Sequence, residues 1–198
     1  MIRKMLLTSA AVVMMLALNA AAKAAPVTLV QGQSVTYTFT STQFPGTTAT
    51  ATYTLQGNQL QLSVTNTSTN NTRIKGIGIN TTPNLSITNT TFSSGLANFA
   101  YSSGGGGLGN MEAIASSAGN KTLNQGQTGT AIFTLSSAPA SLTIDSVVIH
   151  FISLPNGDSE KVGGNPGTQP VPEPATMLLL GTGLAGVAAK VRRRRKSA

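Results

Sequence analysis

Residues 35–40 read Val-Thr-Tyr-Thr-Phe-Thr, and residues 50–55 read Thr-Ala-Thr-Tyr-Thr-Leu. Apolar and polar residues alternate in both segments, which predicts strands with one face in a core and the other in water. Threonine and aromatic residues also suit the pleated surface of a sheet. We therefore expect two half-buried strands. Their core-facing residues are Val35, Tyr37 and Phe39 in the first strand and Ala51, Tyr53 and Leu55 in the second.

The sequence around these two strands predicts an all-β domain. Residues 56–59, Gln-Gly-Asn-Gln, are typical of a turn, and Leu60, Leu62 and Val64 alternate after it, which predicts a hairpin. Many short strands in a threonine-rich chain favour a single antiparallel β-sandwich, either jelly-roll or immunoglobulin-like. Further strands are expected at residues 74–79, 85–87, 131–135 and 142–152, with one short helix within residues 108–118.

Two short segments share a pattern. Residues 30–33 read Val-Gln-Gly-Gln and residues 124–127 read Asn-Gln-Gly-Gln, and a predicted strand follows each of them. Glycine at the third position is typical of a tight turn. We therefore expect similar entry turns at two edges of the sandwich.

Composition limits the possible partners. The 198-residue chain has no cysteine, so its stability must come from the core alone. The formal net charge is +8, but the excess lies at the two ends. A neutral domain lacks the basic face that would neutralise phosphates, so no nucleic-acid binding is expected. Between residues 25 and 170, Arg73, Lys75, Lys121 and Lys161 are balanced by Glu112, Asp145, Asp158 and Glu160.

Residues 1–24 are organised as a cleavable secretory signal peptide. Arg3 and Lys4 supply the charged start, and residues 5–18 form an apolar segment. Ala22 and Ala24 give the small-residue pattern that signal peptidase requires, with cleavage after Ala24. The apolar segment is shorter than the ~20 residues of a spanning helix, which disfavours an uncleaved anchor. We therefore expect an exported ectodomain at residues 25–162.

The C-terminal tail combines three features in a fixed order. Residues 171–174 read Val-Pro-Glu-Pro, and their two prolines exclude a helix and leave an extended backbone. The apolar residues 175–191 are expected to enter the membrane as a short helix, and residues 163–170 are predicted to be a Gly/Pro linker before the tail. A basic cluster, which should stay on the cytoplasmic side, follows. It consists of Lys190, Arg192, Arg193, Arg194, Arg195 and Lys196.

This tail, residues 171–198, resembles the PEP-CTERM sorting signal of Gram-negative bacteria. Residues 175–191 correspond to the membrane segment of the family and residues 192–196 to its basic stop. The resemblance implies recognition and trimming by exosortase, an integral-membrane cysteine protease, followed by delivery to the cell surface or the extracellular matrix. It covers the tail alone and implies no fold or activity for the ectodomain. The residues on the family signature are Val171, Pro172, Glu173 and Pro174.

The ectodomain contains few residues suited to catalysis or metal binding. His150 is its only histidine, and Asp145, five residues earlier, is expected on the opposite face of the same strand. Asp158 and Glu160 lie in an oxygen-rich segment that has features of a calcium loop. The segment lacks the full set of ligands of an EF-hand, so we interpret it as a solvated hairpin tip. We predict no metal and no cofactor.

Other local signals also favour structural interpretations. The glycine-rich residues 104–109 have no βαβ unit around them, so they are interpreted as a loop and not as a nucleotide site. Tyr101 is the one aromatic side chain expected to be exposed to a sugar. Residues 65–72, Thr-Asn-Thr-Ser-Thr-Asn-Asn-Thr, are interpreted as a polar loop stabilised by side-chain turns and not as a glycosylated one.

Two classes of function follow from the sequence. The first is a non-enzymatic cell-surface or matrix protein that is trimmed by exosortase and associated with exopolysaccharide or biofilm. The alternative is a secreted carbohydrate-binding or carbohydrate-hydrolysing protein. A glycosidase needs two carboxylates within ~10 Å of each other, and the ectodomain has four carboxylates in total. We therefore expect no catalysis.

Overall fold

The computed structural model describes residues 25–103, 107–109, 111–116 and 121–167. This part of the chain is all β, with two short 3-10 turns at Ser94–Leu96 and Pro155–Gly157. The strands in it are β1 (Val27–Val30), β2 (Ser34–Thr40), β3 (Thr48–Gln56), β4 (Gln59–Asn66), β5 (Arg73–Thr82), β6 (Ile87–Phe92), β7 (Phe99–Ser103), β8 (Glu112–Ser116), β9 (Thr128–Leu135), β10 (Ser141–Ile152), β11 (Ser159–Gly163) and β12 (Asn165–Pro166).

The strands form two antiparallel six-stranded sheets that pack around one core. The first sheet has the order β1-β10-β5-β8-β7, and β11 also pairs with β10. The second has the order β12-β2-β3-β4-β9-β6. Apolar residues from both sheets belong to a single buried cluster, as expected of a β-sandwich.

The alternation in β2 and β3 sets the faces of the second sheet as predicted. Tyr37, Phe39 and Tyr53 are each at most 2% exposed and point into the core. The hydroxyls of the intervening residues pair across the strands on the other face, with 2.8 Å between Thr36 and Thr52. The predicted hairpin of β3 and β4 is also confirmed, with Gln56 opposite Gln59.

Two secondary-structure predictions were wrong. Residues 108–118 form no helix in their described part, because Glu112–Ser116 is β8, paired with both β5 and β7. The apolar spacing in this segment fits a helix, but Leu108 and Met111 instead pack over Gly78 on the outer face of the first sheet. The strand expected at 85–87 begins only at Ile87 and runs to Phe92. Its composition is mostly Thr and Asn, so no apolar alternation marks it.

A bulge in β10 reverses one predicted orientation. The register with β5 shifts between Ile144 and Ser146, so Asp145 is an extra residue in the strand. Buried residues are even-numbered before this bulge and odd-numbered after it. Asp145 and His150 therefore lie on the same outer face, and the prediction of opposite faces was wrong. They are five positions apart along the strand, a separation of roughly 15 Å.

The two related turns adopt the same hydrogen-bond pattern, as the sequence predicted. They do not lead into edge strands, as was expected, because β2 and β9 each have a neighbouring strand on both sides. In the first turn, the amide of Gln33 donates to the carbonyl of Val30 at 3.0 Å. In the second, the amide of Gln127 donates to the carbonyl of Asn124 at 3.1 Å. The third residue of each turn is a glycine with φ near +75°, a conformation that favours glycine.

The hydroxyl of Tyr37 is buried and has no hydrogen-bond partner among the described residues. Burial, with a smaller contribution from the Asp145 carboxylate, raises the pKa of Tyr37 to about 12. We expect Tyr37→Phe to leave the free energy of unfolding unchanged at pH 7 or to raise it by up to ~1 kcal/mol, because no hydrogen bond is lost.

The raised pKa also predicts a pH dependence. The unfolded chain loses the Tyr37 proton near pH 10, before the folded chain does. The free energy of unfolding of the parent chain should therefore fall as the pH rises from 10 to 12, and this fall should be smaller in the Phe variant. Urea unfolding at pH 7 and pH 11 checks both expectations. A loss of stability at pH 7 in the Phe variant would contradict the absence of a hydroxyl partner, and Thr36→Val on the outer face serves as a hydroxyl-removal control.

Candidate functional site

The residues predicted to direct export and sorting lie outside the described part of the chain. Within the described ranges, no helix has the length and apolar character to cross a membrane. The residues concerned are Ala22, Ala24, Val171, Pro172, Glu173, Pro174, Lys190, Arg192, Arg193, Arg194, Arg195 and Lys196.

The chain that leads into the tail is bound to the sandwich. At Gly164 it crosses from the first sheet to the second, and its amide donates to the carbonyl of Val147 at 2.9 Å. Asn165 and Pro166 then pair with β2 as β12, and the amide of Gly167 donates to the carbonyl of Thr36 at 2.8 Å. The hydrogen-bonded chain thus extends to Gly167, five residues into the segment predicted as a linker.

The direction of β12 decides at which end of the sandwich the tail begins. Because β12 is antiparallel to β2, residue 167 leads toward Ser34 and the turn at Gln31 and Gly32. We call this end the tail pole. The side chain of Gln31 joins it to the β3–β4 turn, accepting from the amide of Gly57 at 2.7 Å. The opposite end, with the loops at residues 41–47 and 67–72, is the distal pole.

Three of the four carboxylates of the ectodomain each accept a hydrogen bond from a hydroxyl. The hydroxyl of Thr82 donates to Asp145 at 2.7 Å, and that of Tyr101 donates to Glu112. Ser41 donates to Glu160 at 2.5 Å. These contacts lie on different strands and loops, and among the described residues no three metal-ligating side chains come together. The carboxylates therefore act as separate hydrogen-bond acceptors.

The expectation that Tyr101 is an exposed ring was wrong. Its side chain is half-buried, and its ring makes an edge contact with Phe133 at a centroid distance of 6.3 Å. Burial, followed by the hydrogen bond to Glu112, raises the pKa of Tyr101 to about 12. β7 places the ring against the core, which the sequence could not reveal. The ring of Tyr101 therefore does not offer a flat platform for a sugar.

The segment with Asp158 and Glu160 is a hairpin tip joining β10 to β11, as predicted, but its two carboxylates differ. Asp158 is exposed, and its side chain makes no hydrogen bond with a described residue. Glu160 is half-buried and holds Ser41, whose oxygen also accepts from the amide of Phe44 at 2.8 Å. Glu160 therefore fixes the β2–β3 loop.

Substitutions at this hairpin should show that Glu160 and Asp158 contribute differently to stability. Glu160→Ala is expected to lower the free energy of unfolding by about 1.5–2 kcal/mol, because the hydroxyl of the buried Ser41 loses its charged acceptor. Asp158→Ala, the matched control, should change it by less than ~0.5 kcal/mol. Chemical unfolding of both variants is the measurement. Equal effects would contradict a structural role of the Glu160 contact.

The fully buried Asn66 ties together two loops at the distal pole. Its side-chain amide donates to the carbonyls of Thr72 at 2.8 Å and Leu123 at 3.2 Å, and its side-chain oxygen accepts from the amide of Ser68. Its backbone carbonyl accepts from Gly126 at 2.8 Å. Residues 67–72 form the predicted polar loop with side-chain turns, whereas residues 65 and 66 belong to β4, so the prediction was right for the loop and wrong at its start. The native fold leaves no room for a glycan on Asn66.

The two loops border an open polar recess of about 350 Å³ at the distal pole. Its described lining consists of Asn71, Arg73, Asn124 and Gln125. Arg73 is half-exposed and the three amides are exposed. No ion pair or hydrogen bond joins the guanidinium to a described residue, whereas the side-chain oxygen of Asn124 accepts from the hydroxyl of Thr122 at 3.4 Å. The sequence alone does not mark this site, because its residues come from loops about fifty positions apart. Only the polar composition of both loops indicated it.

Comparisons with known proteins give a result for the tail alone. No curated protein and no solved structure matches the chain. One family model matches, that of the PEP-CTERM protein-sorting motif, over residues 170–195. The match begins three residues after Gly167, the last described residue, which is hydrogen-bonded to β2. It spans the Pro-Glu-Pro triplet, the apolar segment and the arginines, so the chain carries a PEP-CTERM sorting signal.

Proposed function

We propose that this protein is a secreted cell-surface or matrix protein that exosortase trims at its tail, with a β-sandwich that associates with exopolysaccharide and does not catalyse a reaction. The single observation that carries the proposal is the sorting motif at residues 170–195. The motif implies export and transient membrane anchoring before processing. In this proposal residues 1–24 are removed by signal peptidase, and residues 175–191 hold the precursor in the membrane.

The junction between the sandwich and the motif supports this order of events. Gly167 is still hydrogen-bonded to β2, and Val171 begins the motif four residues later. Four extended residues span at most about 14 Å. The tail pole is therefore held close to the outer surface of the membrane, and the protease acts beside a folded domain. The extended Pro-Glu-Pro backbone suits recognition by a protease there.

The ectodomain supports a binding role over hydrolysis. Glu112, Asp145 and Glu160 each hold a hydroxyl within the fold, on different elements. A glycosidase instead needs two carboxylates facing each other across a substrate. The polar recess at the distal pole favours the carbohydrate-binding form of the alternative function, because amides and a guanidinium are groups that bind sugars and their acids.

Replacement of Pro172, Glu173 and Pro174 with alanine tests the sorting step. If exosortase reads the triplet, the variant should stay in the membrane fraction with its arginine cluster intact, while the parent chain is trimmed. Intact-mass analysis of both proteins from an exosortase-containing host gives the two termini directly. Thr168→Ala combined with Gln169→Ala, just before the triplet, is the control and should be trimmed normally. Normal trimming of the triplet variant would overturn the proposal.

A further inference from the structure

We propose that the recess at the distal pole binds a carboxylate-bearing sugar of an acidic polysaccharide, with Arg73 on the carboxylate and the amides of Asn71, Asn124 and Gln125 on the neighbouring hydroxyls. This inference rests on the proposed function, because it names the class of glycan and the site that binds it. It differs from that function in requiring one particular arginine.

Arg73 has the position and the chemistry for a carboxylate. It begins β5, opposite Ile152 of β10, and its guanidinium lines the recess. No described residue forms an ion pair with it. A guanidinium presents two parallel N–H donors that match the two oxygens of a carboxylate. An unpaired arginine in a polar recess is therefore available for an anionic ligand.

The rest of the lining suits sugar hydroxyls. The side chains of Asn71 and Gln125 each offer both a donor and an acceptor, as a hydroxyl does. That of Asn124 offers its amide donor, while its oxygen accepts from the hydroxyl of Thr122. The recess has one cation and no carboxylate among its described lining residues. A phosphate polymer usually engages several cations, whereas a single uronic acid presents one negative charge among neutral hydroxyls. The lining therefore matches an acidic sugar better than a nucleic acid.

The walls of the recess are fixed before any ligand binds. Asn66 is hydrogen-bonded to the loop before Arg73 and to the loop that carries Asn124. The amide of Asn124 also donates to the side chain of Gln127 at 2.9 Å, which closes the turn that holds Gln125. Loops that are already ordered lose little conformational entropy on binding. The buried Asn66, at the end of β4, thus holds both loops in place.

The surrounding charge has the sign that an acidic polymer requires. Lys75 follows Arg73 by two residues, and Lys121 lies two residues before Leu123, which pairs with Ile74 of the same strand. Glu112 and Asp145 lie toward the tail pole, opposite Ile79 and beside Thr82. The β10–β11 hairpin brings Lys161, Asp158 and Glu160 to the distal pole as well. With four cations against two carboxylates among the described residues, the distal pole is still locally positive. This pole also faces away from the membrane before trimming.

Affinity electrophoresis through gels that contain a polysaccharide tests the site. The mobility of the full-length chain in detergent is measured in three gels. The first contains alginate, which is a polyuronate, the second contains alginate whose carboxyl groups have been reduced, and the third contains poly-glutamate. We expect retardation by alginate, at least tenfold weaker binding in Arg73→Gln, and partial loss in Arg73→Lys, which keeps the charge but not the fork. Lys75→Gln is the charge-matched control and should weaken binding less than twofold.

The outcomes separate this inference from the proposed function. Binding to the reduced polymer that Arg73→Gln does not weaken would overturn the site and leave polysaccharide association standing. No retardation by any polysaccharide would overturn both. If poly-glutamate retarded the chain as much as alginate does, the proposed sugar ligand would be wrong and the recess would bind the carboxylates of an acidic peptide. Gln125→Ala, which leaves the charge unchanged, should weaken alginate binding without changing the melting temperature, and an unchanged affinity there would contradict the role of the amides.

Discussion

Asn66→Ala is expected to lower the free energy of unfolding by about 3 kcal/mol, a large fraction of the 5–15 kcal/mol typical of a domain. The substitution removes every hydrogen bond of a side chain that is fully buried. The carbonyl of Thr72 then loses its donor and the amide of Ser68 its acceptor. Each buried group left without a partner costs roughly 1–3 kcal/mol. The carbonyl of Leu123 keeps the amide of Ile74 as a donor, which limits the loss.

The matched control is Asn89→Ala, at an exposed position in β6. Its side-chain oxygen accepts only from the adjacent amide of Thr90 at 2.9 Å, so the expected change is below ~0.5 kcal/mol. Urea unfolding monitored by tyrosine fluorescence measures both variants. If the two asparagines gave similar changes, the proposed role of Asn66 in fixing the distal loops would be wrong. Asn66→Asp should also destabilise, because a carboxylate cannot donate to Thr72.

Gly164→Ala is expected to destabilise the domain by about 2–3 kcal/mol through overpacking. A β-carbon at this position would lie 2.7 Å from Cε1 and 2.8 Å from Cζ of Phe39, and 3.1 Å from Cβ of Tyr37. Both rings belong to the buried core and cannot move aside freely. The crossing from β11 to β12 should therefore shift or detach, and the tether to the sorting motif should lengthen.

The neighbouring glycine provides the control. A β-carbon at Gly163 would meet no atom within 4 Å, so Gly163→Ala should change the free energy of unfolding by less than ~0.5 kcal/mol. Hydrogen exchange at the amide of Gly167, which is bound to Thr36, reports on β12 separately from global unfolding. Faster exchange is expected in the Gly164 variant alone. Equal exchange in both variants would contradict a crossing that depends on Phe39.

Local patterns predicted the strands that carry strong alternation. β2, β3 and β4 have an apolar residue at every second position, so one register alone buries them. The two Gln-Gly-Gln turns were likewise predictable. Each requires a glycine at a positive φ and a hydrogen bond from the amide of its fourth residue to the carbonyl of its first, and both requirements are local. The strands β6 and β8 were missed or misassigned. Their order depends on pairing with β9 and β5, which are distant in the sequence.

Side-chain environment depended on contacts that sequence spacing does not encode. The bulge at Asp145 moved its side chain to the face of His150, because one extra residue inverts the alternation of a strand. Glu160 was expected at a solvated tip, yet it holds Ser41 from a loop 119 positions earlier. Tyr101 was expected in water and packs against Phe133. Each outcome follows from long-range packing.

The sequence by itself determined the all-β class, the faces of the alternating strands and the sorting signal, because each depends on residues within a few positions of one another. Export and trimming depend on such continuous segments, because a protease binds a segment in extended form and a membrane accepts one as a short helix. Only the tertiary structure placed Arg73 beside Asn124 and buried Asn66 between their loops. A recess built from two separate loops exists only when the sandwich closes, since closure is what brings those loops together.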